Sequence, residues 1–374
     1  MKSKIFNTNL VYFISMTLFV LVRILTLLGV FNFFGDYASY ILNIIIQVGI
    51  IFLLPLFLLT KLNKQKAKSL FKEYSFNKIS AKEVVISILI GLIVFILNIF
   101  FSVFINYILA LIGYNQGTSV SSGGSASILS LILSLIMTAV LPAFCEEFLH
   151  RGVLLSSYKK LGFKNAILIS SLLFGLLHMN IEQFLFATMV GLILGSVTLF
   201  SRSIVPAMII HFMNNGINVY LGFAKANNMP SYQLYNKFIS IFFGGNLITS
   251  VLLVALLIPL LILALLALLK TLLKINTQKS IGSFVNLIAL NEMRRETLGD
   301  IANQQAYGKN EIEFMEMMKG NRNPENTKIE IPYEVLGFYM LPVKKQTFRE
   351  KTFLISSLIL GSLVTFFTLI WGMI

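Results

Sequence analysis

The chain has 374 residues, of which 56% are hydrophobic and only 12% are charged. Soluble domains carry about 25% charged residues, so this composition excludes an ordinary soluble protein and predicts an all-α polytopic membrane protein. The net charge of +14 does not indicate nucleic-acid binding, because Lys and Arg cluster in short loops beside apolar runs. That arrangement is typical of membrane topology, so we expect the lipid bilayer, and no nucleic acid, as a partner.

Apolar runs predict about eight transmembrane helices, followed by a small cytoplasmic α+β appendage and a final transmembrane helix. The runs lie at about 10–34, 40–60, 84–113, 128–157, 166–180, 184–201, 205–224, 239–273 and 352–373. The predicted organisation consists of N-terminal transmembrane helices at 1–127, a catalytic core at 128–224, a further transmembrane helix at 225–274, the appendage at 275–350 and the C-terminal transmembrane helix at 351–374.

Positive charge predicts the orientation in the membrane. The loop 61–82 holds seven Lys residues, and Lys159, Lys164 and Arg202 flank later runs that alternate to the same side. Because basic residues accumulate in cytoplasmic loops, this side is predicted to be cytoplasmic. We therefore expect a multi-pass protein of the cell membrane with a cytoplasmic N-terminus.

The appendage at 275–350 is polar and holds ten of the sixteen acidic residues. Apolar residues recur at helical spacing within 280–320, and residues 328–335 alternate like a short strand. The topology places the appendage in the cytoplasm, and its partner is unknown.

Two adjacent carboxylates, Glu146 and Glu147, lie inside the apolar run at 128–157. An ionisable residue at the bilayer centre costs about 2.5–3.5 kcal/mol on insertion scales, so two neighbours there indicate a function. The alternative interpretation is a helix end at the membrane surface, where both carboxylates are hydrated and have no function. The three His residues of the chain favour the functional one, because all of them lie within 128–224.

Depth and spacing bring these groups together. At about 1.5 Å per residue, Glu146, His178 and His211 lie roughly 12–20 Å from the basic side. Glu147 and Arg151 are four residues apart, with Glu first, the favourable order for an intrahelical ion pair. Glu146 points about 100° away from Glu147 and is free to act as a general base.

Two further pairs share helix faces at four-residue spacing, Phe174 with His178 and His211 with Asn215. An imidazole beside a carboxamide is suited to stabilise an oxyanion. Taken alone, a residue such as His178 or Asn215 more often forms a structural hydrogen bond between helices. Phe174 alone would more often be a packing residue. Their co-occurrence favours a shared site.

The motifs Glu146-Glu147-x-x-x-Arg151, Phe174-x-x-x-His178 and His211-x-x-x-Asn215, in that order on successive helices, resemble those of the CPBP intramembrane protease family. This family includes type II CAAX prenyl endopeptidases and bacteriocin-processing or self-immunity proteins of bacteria. The resemblance covers about 128–224 and does not extend to the appendage.

The resemblance implies an intramembrane endopeptidase that cleaves a membrane-associated peptide or protein. It implies that Glu146 activates a water with help from His178, that His211 and Asn215 stabilise the oxyanion, and that Glu147 and Arg151 hold the site together. Phe174 supports His178. We expect no required cofactor. A divalent metal such as zinc is the alternative, and Glu146, His178 and His211 would then be its ligands.

Two other classes of function stay open from the sequence. A transporter or proton relay also uses buried Glu and His, but such folds often repeat their halves, and no second half mirrors this segment. A catalytically silent scaffold or immunity protein would bind a partner instead. The Ile-, Asn- and Lys-rich composition is typical of low-GC bacteria. The depth of the polar groups predicts a cavity that opens at the cytoplasmic side.

Overall fold

The computed structural model describes residues 4–114, 127–298 and 347–373. The chain forms two compact units, one of residues 1–272 with 343–374 and one of residues 273–342. The predicted strand at 328–335 lies outside the described residues. The described part is helical throughout its regular structure, which confirms the predicted all-α polytopic class.

Eleven helices suffice to follow the described ranges. They are α1 (Lys4–Leu27), α2 (Ala38–Asn63), α3 (Ala67–Glu73), α4 (Ala81–Leu111), α5 (Ile128–Tyr158), α6 (Phe163–Leu177), α7 (Ile181–Ser201), α8 (Val205–Ala226), α9 (Pro230–Phe243), α10 (Leu247–Leu298) and α11 (Phe348–Met373). Short 3-10 turns also occur at Asn32–Tyr37 and Lys159–Leu161. Within α2 and α5 the backbone widens into π-helical stretches, which often mark functional sites.

Seven helices of the described ranges are long and apolar enough to cross a membrane, fewer than the nine apolar runs. The run 166–180 became α6, whose 15 residues extend only about 22 Å. The run 205–224 became α8, which is long enough but carries His211 and several Asn residues that lower its hydropathy. The other seven runs correspond to α1, α2, α4, α5, α7, α10 and α11.

Two helix boundaries differ from the apolar runs because of glycine. The first run was expected to reach residue 34, but α1 ends at Leu27 and Gly29 adopts a positive φ of 73°, a conformation that costs glycine little. The run 239–273 is interrupted at Gly244 and Gly245, so that α9 ends at Phe243 and α10 begins at Leu247. Helix α10 then continues to Leu298 without a break at 274.

The basic loops meet at one end of the bundle, which we call the basic end. The amide Nδ2 of Asn77 donates to the carbonyl of Arg202 at 2.6 Å, and the backbone N–H of Ile204 donates to the carbonyl of Ser75 at 3.0 Å. Lys159 Nζ lies 3.4 Å from the hydroxyl of Ser75. These bonds place the loops that precede α4, α6 and α8 side by side.

The opposite end is defined by an apolar cluster. Leu109 and Tyr114 at the end of α4 pack against Ile181 at the start of α7 and Leu369 near the end of α11. Helix α4 begins at the basic end with a capping box, in which Ser80 and Glu83 satisfy each other's backbone N–H groups. It therefore runs the full depth of the bundle.

Glycine lets α6 and α7 approach closely. A Cβ added at Gly175 would lie 2.7 Å from the carbonyl oxygen of Phe184, and one at Gly191 would lie 3.0 Å from the Cα of Ser171. Helix α7 starts at a capping residue, Asn180, whose side chain accepts the backbone N–H of Glu182 at 2.8 Å. This hairpin carries two of the expected site residues, Phe174 and His178.

Candidate active site

The adjacent carboxylates of α5 are both buried inside the protein, and they face different partners. The side chain of Glu147 is fully buried, and its Oε1 accepts hydrogen bonds from Arg151 Nη1 at 3.1 Å and from His211 Nδ1 at 2.8 Å. The predicted Glu147–Arg151 ion pair is therefore present. The bond to His211 was not predicted, and it links α5 directly to α8.

Arg151 is also fully buried, and it connects α5 to the α6–α7 hairpin. Its Nη2 donates to the carbonyl of Gly191 at 3.1 Å. Its guanidinium carbon lies 4.5 Å from the centre of the Phe174 ring. A cation over an aromatic face away from water contributes about 2 kcal/mol. Arg151 thus fixes three helices around Glu147.

Phe174 lies at the centre of the three imidazoles of the protein. The centre of its ring is 5.0 Å from that of His150, 5.2 Å from His178 and 5.7 Å from His211, each at an interplanar angle near perpendicular. Edge-to-face contacts of this kind favour a fixed ring orientation. The predicted support of His178 by Phe174 has a geometric basis here, and it extends to all three His residues.

The Glu146 carboxylate is held by one hydrogen bond at the wall of a cavity. Its Oε1 accepts a hydrogen bond from Gln47 Nε2 of α2 at 2.8 Å. Its Oε2 is buried and accepts no hydrogen bond from the described residues. The residue lines the cavity and is only 7% exposed, so its carboxylate is held in place with one oxygen unpartnered. Behind it, His150 Nδ1 donates to the carbonyl of Glu146 at 2.8 Å and steadies the helix.

A cavity of about 940 Å³ collects the predicted reactive residues. Glu146, His178, His211 and Asn215 all line it, while Glu147 and Arg151 lie behind this lining. Amide and hydroxyl side chains make up much of the remaining wall: Ser39, Tyr40, Asn43, Gln47, Asn98, Ser102, Ser130, Ser134, Thr138, Gln183, Asn214 and Asn218. Such a wall can hold water and hydrogen-bond a polypeptide backbone.

The bond from His211 to Glu147 determines what His211 can do. With Nδ1–H donated to the carboxylate, a neutral ring offers only the lone pair of Nε2 to the cavity, and an imidazolium offers a second N–H. The roles of donor and acceptor are assigned from this network. Donation to both Glu147 and a ligand in the cavity requires both N–H groups of the imidazolium form.

Asparagines of α8 form a polar chain across the cavity wall. Asn98 Nδ2 donates to Asn214 Oδ1 at 3.2 Å, and Asn214 Nδ2 donates to Asn215 Oδ1 at 3.1 Å. Asn215 Nδ2 in turn donates to the carbonyl of Thr138 at 3.1 Å. The carboxamide of Asn215 is thus oriented by both neighbours, and its second N–H remains to bind a ligand.

Sequence reasoning missed Gln47, Asn98 and Asn214. The signal for Gln47 was available, because Asn43 and Gln47 stand four residues apart in an apolar run and so share one helix face. Polar side chains inside a membrane helix usually face the interior of the bundle. The link to Glu146 required the tertiary structure, since 99 residues separate the two in sequence.

The alternative ligand set for a divalent metal consists of Glu146, His178 and His211. Among the described residues, no three His, Cys, Asp or Glu side chains converge in a way that could hold a metal ion. His211 Nδ1 and Glu147 Oε1 are bonded to each other, and Glu146 Oε1 is bonded to Gln47. No chemical step below is routed through a metal.

The described helices enclose a carboxylate, two imidazoles and a polar cavity, an arrangement that intramembrane hydrolases require. Residues 128–217 match the family model described as Rce1-like, type II CAAX prenyl endopeptidase Rce1-like. This match over part of the chain confirms the resemblance to the CPBP/CAAX protease family found in the sequence. No curated protein and no solved structure matches the chain.

Proposed function

We propose that this protein is an intramembrane endopeptidase in which Glu146 activates a water to cleave a membrane-associated peptide or protein. The family of the segment 128–217 supports protease activity. The observation that carries the mechanism is the state of the Glu146 carboxylate, with Oε1 bonded to Gln47, Oε2 without a hydrogen-bond donor among the described residues, and the residue in the wall of the cavity. A general base must be fixed and must keep an oxygen free to take a proton, and this carboxylate meets both conditions.

The proposed reaction adds a water to the scissile peptide bond, with Glu146 carrying one proton from the water to the departing amine. Glu146 Oε2 takes a proton from a water, and the resulting hydroxide adds to the carbonyl carbon of the scissile peptide bond. His178, held on the edge of Phe174, orients the water from the other side. Collapse of the tetrahedral intermediate breaks the C–N bond, and the departing amine receives the proton from Glu146.

The oxyanion of that intermediate would be stabilised from α8. Asn215 supplies its free carboxamide N–H, and His211 supplies Nε2–H as the imidazolium paired with Glu147. Preorganised donors of this kind are worth about 2.7–4 kcal/mol each in other acyl-transfer enzymes. Glu147 and Arg151 act as positioning residues.

The chain would lie in the cell membrane with its basic end in the cytoplasm, as its loops rich in Lys favour. That orientation places the N-terminus and residues 275–350 in the cytoplasm. We propose no cofactor requirement.

The test compares cleavage of peptide libraries by the detergent-purified wild type and Glu146→Gln, each with and without a chelator. Glu73→Gln is the matched control, since Glu73 is an exposed acid paired with Lys4 at 2.9 Å. We expect Glu146→Gln to lose cleavage while Glu73→Gln and the chelated wild type retain it. Equal cleavage by wild type and Glu146→Gln would overturn the proposal, and loss on chelation would establish a metal-dependent mechanism.

A further inference from the structure

Along each helix that lines it, the cavity extends in only one direction from the level of the Glu146 carboxylate. On α5 its lining runs from Ser130 to Glu146, and the following residues to Tyr158 at the basic end do not line it. On α2 the lining runs from Ser39 to Gln47, although the helix continues to Asn63. Both helices thus line the cavity only with the half that lies farther from the basic end.

Helices α4 and α8, which start at the basic end, give the same result. Helix α8 begins at Val205, and its lining residues run from His211 to Phe223. Helix α4 begins at Ala81, and it contributes only Asn98 and Ser102. Helices of both directions therefore agree that the cavity lies between the reactive residues and the opposite end.

An aromatic plug closes the space between the reactive residues and the basic end. Phe148, one residue beyond Glu147 on α5, is fully buried beneath Phe71, Tyr74 and Phe76 of the loop around α3, with ring centres 5.8, 5.9 and 6.3 Å away. Phe52 of α2 seals the side of this plug at 4.9 Å from Phe148. Close-packed aromatic rings leave no room for a polypeptide.

Hydrogen bonds lock the plug in place from the outside. Thr8 and Ser157 share a hydroxyl–hydroxyl bond of 2.8 Å, and Tyr158 donates to Asn9 Oδ1. Together with the bonds of Ser75 and Asn77 to the loop that precedes α8, these contacts tie α1, α3, α5 and α8 into one closed layer. The expected opening at the basic end is therefore wrong, because that end is occupied by packed side chains.

The lining indicates what the cavity accepts. Among the described lining residues, only Glu146, the two His residues and Tyr40 are ionisable, and the amides and hydroxyls both donate and accept hydrogen bonds. Such a wall matches the alternating N–H and C=O groups of an extended polypeptide rather than a charged head group.

We infer that polypeptide substrates reach Glu146 from the end of the bundle opposite the basic loops, which is the extracytoplasmic face when those loops are cytoplasmic. The inference rests on the proposed function. It names the substrate class as exported or surface-exposed polypeptide segments, including the outer part of a membrane protein, rather than peptides delivered from the cytoplasm.

The test uses membrane-impermeant maleimide on cysteine variants in a Cys145→Ala background, in intact cells and in inside-out vesicles. Ser134→Cys probes the cavity, and Ser156→Cys on the same helix probes the closed side. Lys64→Cys reports the orientation of the basic loops. We expect Ser134→Cys to react only in intact cells, Ser156→Cys not to react there, and Lys64→Cys to react only in inside-out vesicles.

Three results would overturn the inference: reaction of Ser134→Cys only in inside-out vesicles, its failure to react in either preparation, or reaction of Lys64→Cys in intact cells. Labelling needs no catalysis and is expected to be the same with Glu146→Gln added. The expected labelling without any peptide cleavage would therefore refute the proposed protease and leave the entry route standing. With cleavage present, modification of Ser134→Cys from outside is expected to abolish it.

Discussion

Gln47 donates a hydrogen bond of 2.8 Å to Glu146 Oε1, and so the N-terminal half of the chain completes a carboxylate that lies in the matched family segment. Gln47 lies in the π-helical stretch Ile45–Leu53 of α2. The amide thus reaches Glu146 from α2, whereas His211 of α8 is bonded to Glu147. Gln47 is therefore a positioning residue for the proposed base.

Replacing Gln47 by Met keeps the volume and removes the donor. We expect kcat to fall by about 10–100-fold with little change in KM, because a misplaced catalytic group costs rate more than binding. The decisive readout is the double variant. If Gln47 acts through Glu146, adding Gln47→Met to Glu146→Gln will cause no further loss, whereas a purely structural role would lower the amount of folded protein in both backgrounds.

Arg151→Met removes the cation from the Glu147 carboxylate, which keeps only the bond from His211, and it removes the side-chain donor from the Gly191 carbonyl. Breaking a buried ion pair from one side typically costs about 3–5 kcal/mol, so we expect a large drop in the thermal unfolding temperature in detergent. The double variant Glu147→Gln, Arg151→Met removes the stranded charge and should be more stable than Arg151→Met alone. Additive losses in this cycle would show that the two side chains are not coupled.

Gly175→Ala tests the close approach of α6 and α7. The added Cβ would lie 2.0 Å from Thr188 Oγ1 and 2.7 Å from a backbone oxygen, so one helix must move. Overpacking of this kind costs about 1–3 kcal/mol, and we expect lower stability together with lower activity, since the adjacent His178 moves with α6. Gly49→Ala is the control, because nothing lies within 4 Å of its added Cβ. Equal stability of the two variants would contradict the packing.

Lys159 at the basic end predicts a pH dependence of stability. Burial, followed by the nearby charge of Arg202, lowers the pKa of Lys159 to about 8. Between this value and the usual pKa of about 10.4, the unfolded chain binds a proton that the folded protein does not, so stability rises with pH. The difference between the unfolding temperatures of the wild type and Lys159→Gln should therefore change in favour of the wild type as the pH rises from 8 to about 10. A constant difference across this range would contradict the prediction.

The local parts of the site could be predicted from the sequence, and the long-range parts could not. The Glu147–Arg151 pair follows from four-residue spacing on one helix, which any helical segment reproduces. The bonds of Glu147 to His211 and of Glu146 to Gln47 depend on how α5 packs against α8 and α2, which spacing does not encode. The order of the motifs predicted which residues form the site, but the packing of the helices determines the hydrogen bonds that Glu146 and Glu147 accept from other helices.

The direction of the cavity was mispredicted for a related reason. Distance along a helix gives the depth of a residue from one membrane surface, but it does not say on which side of that residue the neighbouring helices separate. The aromatic residues of the loop 61–82 were passed over because its Lys residues dominate the pattern. Phe71, Tyr74 and Phe76 nevertheless close the basic end against Phe148.

Single-turnover cleavage in water enriched in oxygen-18 tests the central claim most directly. If Glu146 directs a water onto the scissile carbonyl, the new carboxyl terminus will carry one heavy oxygen from solvent. Glu146→Gln will form this product about 10²–10⁴-fold more slowly. Heavy-oxygen product formed by Glu146→Gln at the rate of the wild type would contradict the account.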